Sequence, residues 1–276
     1  MRLAFFVEGS NSPIGSKPTL LEVWSEICAS LGVLLPTEVF PIDKRFLVAM
    51  DPSSPPMSGN AEGLDDLLLR MFQRKPFDAA LVLWDLCPPW LPEAALCRWK
   101  ETISLYAHME QRHRLPAPFQ SWVSQRHHEL THRPSAKQRR APVKLTDGAI
   151  VPVCMEPEFE SWLLQDEAAL RAVLGLTGQQ VKKWPTLPKE NSQRRKRHLT
   201  QAICAAQSAS TEICKKIRGD WRTNQPGWTT YLCRSLASRS SDQWAAHPLA
   251  RRLKEVLPPQ SRTADSATLS SDADCC

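Results

Sequence analysis

Four short, continuous apolar runs lie along the chain and are separated by longer mixed segments. The runs at 3–7 and 79–84 are typical of strands that are buried in a sheet, and the other two also read as strands. The predicted strands cover residues 3–7, 39–42, 79–84 and 149–155. A polar loop or a helical pattern follows each of them, so the strands are not joined by tight hairpins.

The segments between the runs carry apolar residues three and four positions apart. Leu20, Trp24, Ile27 and Leu31 show this spacing most clearly, and Thr19 is suited to cap the helix that they define. The predicted helices cover residues 19–31, 64–73, 92–113, 119–130 and 158–174. Strands that alternate with helices imply an α/β fold, with a mainly parallel sheet and helices on both of its faces.

The same pattern divides the chain. Residues 1–175 form the predicted α/β domain, with a helical insertion at about 91–133. Residues 176–260 read as a helical C-terminal region with its own tryptophan-rich core, and residues 261–276 read as a disordered tail rich in Ser, Ala and Asp.

Composition narrows the class of protein. The 276 residues include nine cysteines, an odd number with no CxxC pair, so neither a zinc ribbon nor a disulfide framework is indicated. The first apolar run meets Glu8 too early for a signal peptide, and no run approaches membrane-spanning length. We therefore expect a cytoplasmic protein with no membrane partner.

Basic residues outnumber acidic ones, 35 to 29, and they collect in two runs. Such runs are suited to a nucleic-acid backbone, although an ordinary solvated loop or helix face would look the same. The candidate nucleic-acid-binding residues are Arg139, Arg140, Arg194, Arg195, Lys196 and Arg197.

Acidic residues follow three of the predicted strands. Glu8 and Asp85 come where a buried strand stops, and Glu158 and Glu160 open the helix after the fourth strand. Ligands of open α/β sheets bind at the carboxyl ends of the strands. Carboxylates that converge there repel one another unless a cation neutralises them, and their hard oxygens suit Mg²⁺ or Mn²⁺. The pattern predicts a metal site capable of phosphoryl chemistry such as nucleic-acid cleavage.

The same acids have a simpler interpretation. Acids at strand ends and in first helical turns cap helices and favour the positive end of the helix dipole. Glu158 and Glu160 could do only that.

Three segments resemble, in order, the signatures of a TOPRIM-like family of unknown function: LAFFVEG at 3–9, LVLWDLCPP at 81–89 and EFESWLLQD at 158–166. Members of that family are similar to the nuclease half of OLD-type proteins. They occur among bacterial mobile-element and phage-defence genes, often beside an ATPase. The resemblance spans about the first two thirds of the chain, and its third segment is the most specific.

The resemblance implies roles for individual residues. Glu8 matches the acid of the first strand, Asp85 the acid that ends the central strand, and Glu158 and Glu160 the acids of the later motif. Asp166 matches its final acid. Glu8, Asp85 and Glu158 would then be the metal ligands, with Glu160 as a supporting ligand or base. All four are candidate catalytic residues.

Three departures from the family pattern leave a second function open. A loop that begins Ser10-Asn11 replaces the usual Thr-Glu pair, Leu86-Cys87 replaces the second acid of TOPRIM nucleases, and Pro157 replaces a histidine. The alternatives are thus a nuclease-like enzyme, or a non-catalytic subunit that binds a partner ATPase or nucleic acid in a defence complex.

A separate motif offers a third possibility. His128, Glu129 and His132 reproduce the HExxH pattern, in which two histidines one helical turn apart bind zinc and the glutamate acts as a general base. Arg133-Pro134 ends the predicted helix directly afterwards, which is atypical of a metallopeptidase. A solvated helix end is the simpler interpretation.

Overall fold

A four-stranded parallel sheet forms the centre of the molecule. The computed structural model describes residues 1–8, 20–43, 46–47, 62–85, 99–112, 115–132, 143–155 and 248–260. The strands are β1 (Leu3–Glu8), β2 (Glu38–Ile42), β3 (Ala79–Asp85) and β4 (Ile150–Met155). Their order across the sheet is β2-β1-β3-β4, and every neighbouring pair is parallel.

Five helices surround the sheet in the described ranges. They are α1 (Leu20–Leu31), α2 (Leu64–Arg74), α3 (Trp99–Arg112), α4 (Ala117–His132) and α5 (Pro248–Val256). The predicted α/β class with a parallel sheet is confirmed. None of these helices is long and apolar enough to cross a lipid bilayer.

The central strands bury side chains on both faces, which explains their continuous apolar sequences. In β1, Leu3, Phe5 and Val7 enter one core, while Ala4 and Phe6 enter the other. Strand β3 is buried along its whole length and alternates in the same way. Successive side chains of a strand point to opposite faces, so a two-faced core requires an apolar residue at every position.

Each face has its own helices. Side chains of α1 and α5 pack on the face of Leu3 and Phe5, where Trp24 meets Phe5 edge to face with ring centroids 5.8 Å apart. Helices α2, α3 and α4 cover the opposite face. Helices α3 and α4, which fall within the predicted insertion, both contribute side chains to this second core.

Helix α5 comes late in the chain yet completes the first core. Leu249, Ala250 and Leu253 are fully buried there, beside residues of α1 and β4. The last residue of the helix bonds to the loop before β4, since the carbonyl of Val256 accepts the N–H of Leu145 at 2.8 Å. The predicted helical region 176–260 thus contributes its last helix to the α/β core. The predicted boundary at residue 175 and the tail 261–276 lie outside the described residues.

The two outer strands of the described sheet each contain a proline, Pro41 in β2 and Pro152 in β4. Proline has no N–H to donate, so a sheet accepts it most easily where one side of the strand has no neighbour.

A side chain of α3 satisfies an outward-facing carbonyl of β4. The Ala149 carbonyl accepts the Ala80 N–H, so the next carbonyl, that of Ile150, points away from β3, and the buried Tyr106 hydroxyl donates to it at 2.8 Å.

An ionic contact holds the amino ends of β1 and β3 together and gives a pH prediction. The Arg2 N–H donates to Asp78 Oδ2 at 2.6 Å. This bond, with the Arg2 guanidinium acting against the effect of burial, holds the pKa of Asp78 below its usual range. A lowered pKa in the folded state stabilises the fold above the unfolded-state pKa, and the effect is lost as pH falls through the folded-state pKa.

We expect Asp78→Asn to lower the free energy of unfolding at pH 7 by under about 1 kcal/mol, because the carboxylate is near the surface. The difference from wild type should shrink toward zero in the acid range. Urea unfolding between pH 7 and pH 3 measures both values. A difference that stays constant over this pH range would show that the charge of Asp78 does not contribute to the free energy of unfolding.

Cys28 gives a prediction about reactivity. It lies fully buried in α1, and burial raises the pKa of its thiol to about 12. At pH 8 only roughly one molecule in ten thousand then carries the reactive thiolate. We expect iodoacetamide to leave the Cys28 peptide unmodified in the folded protein and to alkylate it in guanidinium, as read by mass spectrometry. Equal labelling in both conditions would contradict its burial.

Candidate acidic site at the carboxyl edge of the sheet

Two of the predicted acids lie side by side at the carboxyl ends of the central strands. β1 and β3 pair in parallel with Val7 opposite Leu83, which brings the next residues, Glu8 and Trp84, to the same level. The backbone N–H of Asp85 donates to Glu8 Oε2 at 2.8 Å. The two acids are separated by 77 positions in sequence, and the sheet joins them directly. We call Glu8 and Asp85 the acidic pair.

The strand order makes this position the natural binding crevice of the fold. From β1 the chain passes through α1, on one face, to β2. From β3 it passes through α3 and α4, on the other face, to β4. The helices that follow β1 and β3 therefore lie on opposite faces, and ligands of doubly wound sheets bind near the carboxyl ends of strands whose crossovers diverge in this way.

The acidic pair is partly sheltered from water. Asp85 is 8% exposed and Glu8 is half-buried. A carboxylate at such a position is costly without compensating partners or a bound cation. Because the Asp85 amide holds one Glu8 oxygen, the Glu8 side chain has a defined orientation at this edge.

Strand β4 ends beside the acidic pair. It runs parallel to β3, with Asp85 opposite Met155 and Trp84 opposite Cys154. The chain therefore leaves β4 at the same edge of the sheet. Glu158, Glu160 and Asp166 follow in sequence, and all three lie outside the described residues.

The donors in the described part of the chain fit a hard cation by type but do not form a complete site. Carboxylate oxygens are the ligands that Mg²⁺ and Mn²⁺ prefer. Within the described ranges, no group of three or more His, Cys, Asp or Glu side chains is placed to hold a metal ion. The sheet brings two acidic residues to this edge, and the contact between them joins the Asp85 backbone amide to the Glu8 carboxylate.

The predicted nucleic-acid-binding residues cannot be placed against this edge. Both basic runs lie outside the described residues. They stay predictions, and these are their members: Arg139, Arg140, Arg194, Arg195, Lys196 and Arg197.

The HExxH motif lies on the last turns of α4, and its geometry is unlike that of a peptidase. His128 and His132 are exposed. The Glu129 carboxylate accepts from Arg126 Nη1 at 2.7 Å and from Gln125 Nε2 at 3.2 Å, so other side chains engage the would-be general base. A third metal ligand is missing from the residues that the structure describes. A catalytic zinc site needs three protein ligands around an enclosed water, so the peptidase alternative gains no support.

A second pair of acids, Asp65 and Asp66, lies at the start of α2, and no sequence motif marks it. Asp65 is fully buried, and its Oδ2 lies 3.1 Å from Arg112 Nη1. Asp66 accepts from Arg112 Nη2 at 2.9 Å and from the Gly63 N–H at 2.9 Å. These bonds cap α2 and connect it to the end of α3, so Asp65 and Asp66 have a structural role. Capping acids in a first helical turn are common, and no sequence signal predicted the Arg112 contact.

Comparisons of the chain with models of protein families, with curated proteins and with solved structures find no match.

Proposed function

We propose that this chain is a nuclease-like protein that acts on nucleic acid with Mg²⁺ or Mn²⁺ at the carboxyl edge of its sheet. The observation that carries the proposal is the acidic pair, in which two acids remote in sequence meet at the point where the connections diverge. The resemblance to TOPRIM-like proteins suggests that the setting is bacterial anti-phage defence.

Residue roles follow from position. Glu8 and Asp85 would hold the cation from the two central strands. Glu158 would supply a further ligand, and Glu160 a supporting ligand or base, because the chain reaches both soon after β4 ends at this edge. When bound, such a cation polarises a phosphoryl oxygen and makes bound water more acidic. Asp85 orients Glu8 through its amide, so the pair is organised before any ligand arrives.

Charge supports a nucleic-acid substrate. The chain carries a net charge of +6, and its longest basic run, Arg194 to Arg197, has four consecutive positive residues. Positive residues beside an acidic metal site would hold the phosphate backbone while the cation contacts the reacting phosphate. The proposal therefore assigns phosphate binding to the two basic runs.

The test is cleavage of supercoiled, linear and single-stranded nucleic acid by the purified chain with Mg²⁺, with Mn²⁺ or with EDTA. We expect metal-dependent cutting that both Glu8→Ala and Asp85→Ala abolish. Asp147→Asn is the matched control, because Asp147 is an exposed acid that precedes β4 at the opposite, amino edge of the sheet. Cutting that survives both variants would remove the acidic pair from the chemistry.

One observation favours a second candidate, a non-catalytic subunit that binds a defence ATPase or nucleic acid. Leu86 and Cys87 follow Asp85 where TOPRIM nucleases carry a second acid, so the site has fewer carboxylates. This candidate predicts no cutting with any metal, together with retained binding to nucleic acid or to the partner ATPase. The cleavage assay therefore separates the two candidates.

A further inference from the structure

Two histidines near the end of α4 form a pair that the proposed nuclease site does not use. His128 and His132 are four residues apart, one helical turn, and both are exposed. Their rings stack, with centroids 4.0 Å apart and planes inclined by 22°. Both imidazoles therefore project from the same side of the helix, at a spacing that allows one ion to bridge them.

Hydrogen bonds fix which nitrogen of His132 carries the proton. Its Nδ1 lies 2.8 Å from the carbonyl oxygen of His128, which can only accept a hydrogen bond. Its other neighbour, Thr131 Oγ1 at 3.1 Å, already directs its hydroxyl to backbone carbonyls of the preceding turn. The proton of neutral His132 is therefore on Nδ1, and Nε2 keeps its lone pair. Metal-binding histidines are oriented by this same kind of bond from the second ring nitrogen.

The surroundings leave the pair open to solvent rather than buried in a polar network. Glu129, between the two histidines in sequence, is engaged by Arg126 and Gln125. His127 points elsewhere and contacts Glu110 of α3. The pair thus offers two imidazole nitrogens on an exposed turn, where water can complete the coordination of an ion.

We propose that His128 and His132 form a two-histidine site for a late first-row transition-metal ion, of the class of Ni²⁺, Cu²⁺ or Zn²⁺. Imidazole nitrogen suits these ions, whereas Mg²⁺ and Mn²⁺ prefer oxygen. The site differs from a zinc peptidase centre because Glu129 takes no part and the ion keeps several waters. It is also independent of the nuclease proposal, since the two sites share no residue and select different ions.

Bridging has a structural consequence. The ion would join residues on adjacent turns and hold the end of α4 in helical form. An ion that binds the folded helix better than the unfolded chain raises the melting temperature. Thermal stability therefore reports the site without any assay of activity.

The experiment is calorimetric titration of the untagged chain with Ni²⁺, alongside thermal melts with and without the ion. We expect one site per chain that both His128→Gln and His132→Gln weaken by at least about tenfold, because loss of even an outer-shell partner typically costs 10- to 100-fold. The rise in melting temperature should vanish in the same variants. Since both side chains are exposed, the variants should fold normally.

Two controls make the assignment specific. Glu129→Gln should keep the Ni²⁺ affinity, because Glu129 is not a ligand, and Glu8→Gln should keep it because the acidic pair is a separate site. Ni²⁺ affinity unchanged in both histidine variants would place the ion elsewhere, for example on cysteines, and would overturn the proposal. A loss of Ni²⁺ affinity in Glu129→Gln would show that Glu129 is a ligand and would overturn the proposal of a site with two histidine ligands.

Discussion

Replacing Gly148 with alanine is expected to lower the free energy of unfolding by about 2–5 kcal/mol, from left-handed backbone strain together with overpacking. Gly148 has φ 77° in the turn before β4, and its N–H donates to the Asp78 carbonyl at 2.7 Å. A Cβ at this position would lie 2.5 Å from both the carbonyl carbon and the oxygen of Pro118. Because those atoms are backbone in the first turn of α4, a side-chain rotation cannot relieve the contact.

Gly32→Ala is the matched control for this prediction. Gly32 also has a positive φ, 65°, but an added Cβ would meet no atom within 4 Å. Gly32 directly follows α1 and caps its C-terminus. The Gly32 N–H donates to the carbonyl of Ala29, and the Val33 N–H donates to the carbonyl of Cys28. Its substitution should cost only the left-handed strain, about 1–2 kcal/mol. Equal losses for the two variants in urea unfolding would show that α4 does not pack against Gly148 as described.

Glu8→Gln is expected to reduce metal-dependent cleavage at least about 100-fold, since a cation contributes several kcal/mol to such a reaction and each 1.4 kcal/mol is tenfold in rate. The substitution separates two roles of Glu8. Glutamine keeps a carbonyl oxygen that can accept the Asp85 N–H, so the link between β1 and β3 persists. It removes the negative charge that a cation requires.

The expected signature is loss of cleavage with little change in melting temperature. Glu8→Ala should lose the hydrogen bond as well and should therefore melt lower than Glu8→Gln, in line with the roughly 1 kcal/mol of an average hydrogen bond. Wild-type cleavage by Glu8→Gln would mean that the charge of Glu8 has no part in the reaction.

The two central strands, β1 and β3, were predictable because they are buried on both faces of the sheet. Such a strand must be apolar at every position, and this pattern is visible without a structure. The predicted strand ends agree with the observed ones to within one residue. The place of α5 was not predictable, because its sequence shows one buried stripe but not the partner of that stripe. Only the fold reveals that Leu249 and Leu253 pack beside α1 and β4.

The candidate site was predictable in part. Acids at the ends of parallel strands must come to one edge, so the sequence predicted that Glu8 and Asp85 lie at the same edge of the sheet. It could not predict that the two strands are neighbours, which depends on the crossover from β2 past β1 to β3. The bond from the Asp85 amide to Glu8 follows from that adjacency. The contributions of Glu158 and Glu160 stay predictions.

Titration with Mn²⁺, followed by the loss of the free-ion paramagnetic resonance signal, measures directly whether the acidic pair holds a metal ion and needs no nucleic-acid substrate. We expect one Mn²⁺ site in the wild-type chain, which Glu8→Gln and Asp85→Asn each weaken at least about tenfold and which Asp147→Asn leaves intact. Binding that is equal in all four proteins would contradict the claim that the acidic pair holds a metal ion.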